Sequence, residues 1–331
     1  MDCPCPREII ANIHQIGSIP QSLAAVLKVI NDPKAGADSV ANVISRDVSL
    51  TTRVLKMVNS VQFGSRKKIT KISEAVIIMG LNSIKILALS SSIFGMIQEN
   101  ETFRKCGIKR IWRHLIETAA NARSIAVAAG YPDREEAFVA GIVHDIGTIV
   151  MLLYLREKYA DIIDGLKQTK SGIIKVEKDN YGFSHCEIGA EIASLWKIPA
   201  KLVYVIRNHH DPDCPGMAEE DIMLNNIVSF ADRMTLGPFE AYYPGIEDNI
   251  KFTKKMRDRL DLSQGTIHRI RKESVNESIK LAEYLDLDVG DVVDILSEAN
   301  EKLADMYFSL EDLFIEIAAI PGRGETAARP I

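Results

Sequence analysis

Alternation of apolar and polar residues, the mark of a half-buried strand, is almost absent from this sequence, and helix signals dominate instead. A fold built mainly on sheets is therefore excluded. No Gly-x-Gly-x-x-Gly follows a strand pattern, and there is no phosphate-binding P-loop and no Gly-x-Ser-x-Gly, so dinucleotide, nucleotide-loop and serine-hydrolase chemistry lack their usual anchors. Internal repeats and low-complexity tracts are missing as well. The five cysteines form no even, regularly spaced framework; Cys106, Cys186 and Cys214 are scattered, which excludes a disulfide scaffold and suits a reducing, cytoplasmic setting. Cys3 and Cys5 have no second pair at zinc spacing and read as part of a frayed terminus. No apolar segment follows a basic start, so no secretory signal is expected. The most apolar stretch, Ile84 to Ile97, carries Lys85 and three consecutive serines and is too short and polar to span a bilayer. Positive charge is not in excess: the net charge is −5, and the short clusters Arg66-Lys67-Lys68 and Arg269, Arg271, Lys272 read as solvated faces. Neither nucleic acid nor membrane is an expected partner.

What is present is an ordinary globular composition, 47% hydrophobic and 26% charged, over 331 residues, enough for one large or two modest domains. Three blocks are expected. In residues 1–107, Ser49 is placed to cap a helix with Leu50, Val54 and Val58 at helical spacing. Ser73 to Met79 reads as a further helix stopped by Gly80, and Asn82 as the cap of one carrying Ile84, Leu87 and Ser91. The polar run Asn100 to Gly107 marks a boundary. In residues 108–240, a helix around Trp112–Ala129 ends at Gly130, and Asp133 with Glu136 opens another that stops close to His144. Ser184 and Glu187 form a second capping-box pattern, which puts His185 in the first turn of a helix whose face continues through Ile188, Ile192 and Leu195. Pro199 suits the first turn of a helix running into His209-His210. Asp211-Pro212 then ends it, because proline disfavours helix in the residue before it. Asp232 lies four residues after Val228 on a helix starting near Asp221. In residues 241–331, Tyr-Tyr-Pro-Gly and a charged loop lead into helical patterns over Ile267–Leu285 and Val289–Leu313, with a disordered tail from Gly322. Asp286, Asp288 and Asp291 have the wrong spacing for a calcium loop and read as a capped turn between helices.

Five of the seven histidines fall in the middle block, among acids: His114, His144-Asp145, His185, His209-His210 and then Asp232. Taken singly, a histidine on an apolar helix face is usually a hydrogen-bonded core residue. Neighbours such as His209 and His210 point about 100° apart within a helix, so both can serve one point only where the helix ends. A carboxylate on the apolar face of the Asp232 helix is costly unless paired or metal-bound. Neutral imidazole with carboxylate is what Fe, Mn, Ni and Zn accept, and seven such groups exceed what one ion uses. The set suits two adjacent ions sharing a bridging carboxylate, an arrangement that polarises phosphate or carbonyl oxygens and activates water.

Ile19-Pro20, Leu23, Leu55, Val58-Asn59-Ser60, Phe63, Ile69, Ile72, Ala75-Val76 and Met79-Gly80-Leu81 resemble the start of an HDOD domain, the HD-related output domain of bacterial signalling proteins. The likeness continues through Trp112-Arg113-His114, Ala140 to Gly147, Gly182 to Ala190, Ile206 to Asp211 and Asp232, about residues 10 to 240 in all. It implies an all-α, HD-domain-like helical bundle with an N-terminal helical HDOD subdomain and C-terminal helices. It also implies kinship with HD phosphohydrolases, including the HD-GYP cyclic-di-GMP phosphodiesterases. Many HDOD proteins have lost the HD ligands and act as non-catalytic signalling modules; this chain keeps them. By position, His114, His144, Asp145 and Asp232 would hold one ion, and His185, His209 and His210 the other, with Asp145 bridging. Iron or manganese is expected first, nickel or zinc next. The HD-GYP pattern runs His-Asp-Ile-Gly-Lys, whereas Thr148 stands at the lysine position, and Asp-Pro-Asp-Cys-Pro-Gly follows the double histidine where Gly-Tyr-Pro is expected. A threonine can orient a phosphate but supplies no charge, a loss often worth about 10²–10³ in rate. The expectation is a regulatory interaction module with a retained dinuclear site and a signalling-protein partner. The alternative is a metal-dependent phosphohydrolase acting on a nucleotide or cyclic dinucleotide, with Asp145 and Thr148 at the reacting phosphate.

Overall fold

The computed structural model describes residues 21–30, 32, 34–59, 69–81, 84, 85, 88, 91, 108–155, 157–166, 172–215, 218–235 and 246–273. All of them fall in one compact unit, residues 1–289. The expected boundary at 100–107, the Asn82 cap, the patterns over 274–313, the Asp286–Asp291 turn and the tail lie outside the described residues.

The fold is all-α, as expected: among the described residues every element is a helix. In chain order these are α1 Gln21–Ile30, α2 Ala37–Ser45, α3 Val48–Asn59 and α4 Ile72–Met79, then α5 Ile108–Ala128, α6 Arg134–Val143, α7 Ile146–Leu155, α8 Glu157–Gly165 and α9 Ile173–Tyr181. They continue with α10 His185–Leu195, α11 Ala200–Asn208, α12 Glu219–Met234 and α13 Ile246–Arg259. No described helix is long and apolar enough to cross a membrane. A single buried cluster runs from Val26 in α1 to Ile270.

Several local expectations shift in detail. The α3 helix is capped by Asp47, whose carboxylate accepts from the Leu50 N–H at 2.9 Å, rather than by Ser49, because the helix starts two residues earlier than expected, at Val48. Asp133 caps α6 through the Glu135 and Glu136 N–H groups. The expected return bond is not made, since Glu136 instead accepts from the Tyr131 hydroxyl and the Lys201 ammonium. Pro199 precedes α11 as its cap residue, and Leu195 is 47% exposed although Ile188 and Ile192 on the same helix are buried. The charged stretch after Pro244 is helix α13, not a loop; among its residues with described side chains, Met256 is buried and Phe252 partly buried.

Two close helix crossings position the site. The α5–α6 pair touches at Gly141, where an added Cβ would stand 2.6 Å from the Ala119 Cα, and α12 packs along α5 beside it. The α7–α10 pair meets at Gly147 and Gly189, where a Cβ on Gly147 would stand 1.8 Å from the His185 carbonyl oxygen. The two residues between α6 and α7, His144 and Asp145, thus lie where these two packed groups of helices join.

Candidate metal centre

All seven sequence-selected ligand residues converge. His114 comes from the middle of α5, His144 and Asp145 from the break after α6, and Asp232 from the last turn of α12. His185 opens α10, and His209 and His210 follow the end of α11, so the chain turns there and brings both rings to one place. Six of the seven are buried, and the His210 side chain is 12% exposed.

The distances sort the groups into two sets. His114 Nε2 lies 3.2 Å from His144 Nε2, 3.4 Å from Asp145 Oδ2 and 3.2 Å from Asp232 Oδ1. His144 Nε2 is 3.7 Å from each of the same two oxygens. On the other side, His185 Nε2 lies 3.4 Å from His209 Nε2, 3.2 Å from His210 Nε2 and 3.3 Å from Asp145 Oδ1, with His209 Nε2 3.5 Å from that oxygen. Asp145 therefore turns one oxygen to each set, and its Oδ1 is buried without a hydrogen-bond partner. His210 Nδ1 sits 3.9 Å from Asp232 Oδ2, a second link between the halves.

These separations suit metal coordination. Donors about 2.1 Å from one ion stand about 3.0 Å apart at right angles and about 3.4 Å apart at tetrahedral angles. The remaining ring nitrogens fix the tautomers. His144 Nδ1 donates to the Gly141 carbonyl at 2.6 Å and His209 Nδ1 to the Ile206 carbonyl at 3.0 Å, which turns both Nε2 atoms toward the cluster. His185 Nδ1 donates to Glu177, 2.8 Å from Oε2. The fully buried Glu177, on α9, also accepts from the His185 backbone N–H and from the Tyr159 hydroxyl. A carboxylate behind a ligating imidazole fixes its orientation and raises its basicity.

Glu177 and Cys186 were not legible as site residues. The only trace of Glu177 is its place four residues after the buried Ile173, on the inner face of α9. Cys186 looked like one scattered cysteine, yet its sulfur lies 3.4 Å from His185 Nε2. Thr148, three residues after Asp145 on α7, is fully buried and its hydroxyl is unpartnered.

The electrostatics pair buried carboxylates with buried imidazoles. Burial opposes the charged forms throughout, but the imidazoles of His144, His114 and His209 hold Asp145 well below the usual carboxylate range, and His114 and His144 do the same for Asp232. Against that burial, Asp145 and Asp232 push His114 up to about 9, and Cys186 and Asp145 push His209 up to about 10. Burial and the neighbouring His209 hold His210 well below its ordinary value. Burial raises the Cys186 thiol, but His185 and His209 lower it further. Cys186 and Glu177 likewise push His185 well above its ordinary value, so an ion entering at neutral pH competes with protons on His114, His185 and His209. Metal affinity is expected to rise between pH 6 and 9, by up to about tenfold per pH unit for each proton displaced. Competition titrations across that range check it, and a flat profile would count against imidazole ligation. In the metal-free protein the sign reverses: these raised values stabilise the fold fully below 6.5, and the contribution fades as pH climbs through about 9 to 10.

The family profile of the HDOD domain matches residues 16–212, more than half of the chain. The chain belongs to the HDOD family. A Treponema pallidum (strain Nichols) protein of uncharacterised function is 30% identical over 234 residues, 68% of this chain but only 43% of that protein, so the chain spans less than half of the relative's length. Among solved structures, an HDOD domain protein of unknown function from Geobacter sulfurreducens aligns with a TM-score of 0.65 at 20% identity, covering 84% of this chain and 96% of its own. A candidate phosphohydrolase from Shewanella amazonensis SB2B aligns with a TM-score of 0.63 at 21% identity, over 84% and 97% of the two chains. A candidate signal transduction protein from Marinobacter aquaeolei VT8 aligns with a TM-score of 0.62 at 16% identity, over 85% and 61%. At these identities the likeness establishes the helical fold.

Proposed function

We propose that this chain is a bacterial HDOD signalling protein whose retained site binds two divalent transition-metal ions, iron or manganese first and nickel or zinc next. In this reading it acts as a cytoplasmic regulatory module toward a signalling-protein partner. The observation that carries the proposal is Asp145, with Oδ2 toward His114 and His144 and Oδ1 toward His185 and His209. One carboxylate serving two imidazole sets is the ligand plan of a bridged metal pair. A regulatory role is favoured by what surrounds the pair. Six ligand residues are buried and the His210 side chain is 12% exposed, so little of the ligand shell faces solvent. No lysine follows His-Asp-Ile-Gly, and the buried Thr148 supplies no charge to a phosphate.

The second reading, a metal-dependent phosphohydrolase, draws on the same bridged constellation, which when loaded activates water near neutral pH. Incubating protein loaded with manganese or ferrous iron with nucleotides and cyclic dinucleotides separates the two. The regulatory reading predicts no product above the metal-only control, with or without ligand binding by calorimetry. Sustained multiple-turnover hydrolysis, abolished by chelation, would overturn it in favour of the enzyme.

A further inference from the structure

Cys186 is a buried thiol whose hydrogen-bonding neighbours among the described residues are imidazole nitrogens of the cluster: His185 Nε2 at 3.4 Å, and His209 Nδ1 and Nε2 at 3.9 Å each. One ligand atom each from His185, Cys186, His209 and His210 fits within a sphere of mutual separations below 4.8 Å. A buried cysteine is ordinarily a small hydrophobe, and its sulfur then packs against carbon. Here it lies 3.4 Å from Nε2 of His185, whose other ring nitrogen is bonded to Glu177. On the same side Asp145 Oδ1 is buried and unpartnered. A sulfur about 2.3 Å and a nitrogen about 2.1 Å from one ion stand about 3.6 Å apart at a tetrahedral angle, which the sulfur–nitrogen separations bracket. Local structure supplies the rest. Ser184 caps α10, which makes Cys186 the second residue of the helix, where the helix dipole favours a thiolate.

We infer that Cys186 is a ligand of the second metal position, joining His185, His209, His210 and Asp145 Oδ1. The inference rests on the metal-binding reading above and makes the two halves chemically unequal. The His114, His144 and Asp232 half offers only nitrogen and oxygen. The Cys186 half adds a soft thiolate, which selects zinc, ferrous iron or cobalt over manganese. Five protein donors also leave that ion little room for substrate, in keeping with a regulatory position.

The test is X-ray absorption on the full chain loaded with zinc, which needs no variant, joined to cobalt titrations of the parent and of Cys186→Ala. The expected result is a sulfur shell at about 2.3 Å, on average half a sulfur per ion when both positions are filled. The parent should show a near-ultraviolet sulfur-to-cobalt charge-transfer band that the variant lacks, although the variant still takes up cobalt. Zinc affinity at one position should fall at least about tenfold in the variant while manganese affinity holds. Zinc bound through nitrogen and oxygen alone would overturn the assignment of Cys186 and leave the histidine–aspartate site standing. A parent that takes up neither zinc nor cobalt would overturn both.

Discussion

Gly147→Ala is expected to lower the melting temperature by about 4 °C or more and to empty the metal site. The added Cβ would stand 1.8 Å from the His185 carbonyl oxygen, 2.7 Å from its carbon and 3.0 Å from the Gly189 nitrogen. All three are backbone atoms, so no side chain can swing aside. The α7 and α10 helices must part by about 1 Å, and overpacking of that kind costs about 3 kcal/mol or more. In a chain of this size 1 kcal/mol corresponds to roughly 1.5 °C. The same shift would carry His185 away from Asp145, from which it now stands 3.3 Å. Glycine in His-Asp-Ile-Gly is therefore a packing requirement of the site. Thermal melts of metal-free and metal-loaded protein read both effects. An alanine variant with parental melting temperature and metal content would show that the two helices are not in backbone contact.

Asp145→Ala should lose both ions. The first set would lose one of its two carboxylates and the second its Oδ1 donor, leaving Asp232 as the one carboxylate among the seven residues beside five imidazoles. An ion bound only by the native state, at free concentrations about a thousandfold above Kd, stabilises it by about 4 kcal/mol. Two such ions amount to a gap on the order of 10 °C between loaded parent and loaded variant. Elemental analysis beside the melts separates the outcomes. A variant with full metal content would refute the bridging role, and one that keeps a single ion would confine Asp145 to one half.

The site was legible where residue type carried the information and obscure where only position did. Histidines among carboxylates on otherwise apolar helices announce ligands, and the Ser184–Glu187 box placed His185 at a helix start because its bonds are local. Glu177 gave no such signal, since a glutamate in a charged segment looks solvated until tertiary packing buries it. Cys186 was obscured because its neighbours His209 and His210 lie more than twenty residues away in sequence. Helix α7 is apolar on every side, so no periodic stripe marks it, and α13 is so charged that its helical period is nearly silent. The reciprocal box at Asp133 failed for a tertiary reason: Glu136 serves Tyr131 and Lys201 instead.

The most direct measurement of the central claim is the metal content of the unmodified chain after anaerobic preparation and reconstitution. The account predicts close to two equivalents of transition metal per chain, removed together by chelation with a fall in melting temperature. Less than about 0.2 equivalents of any transition metal under those conditions would contradict it.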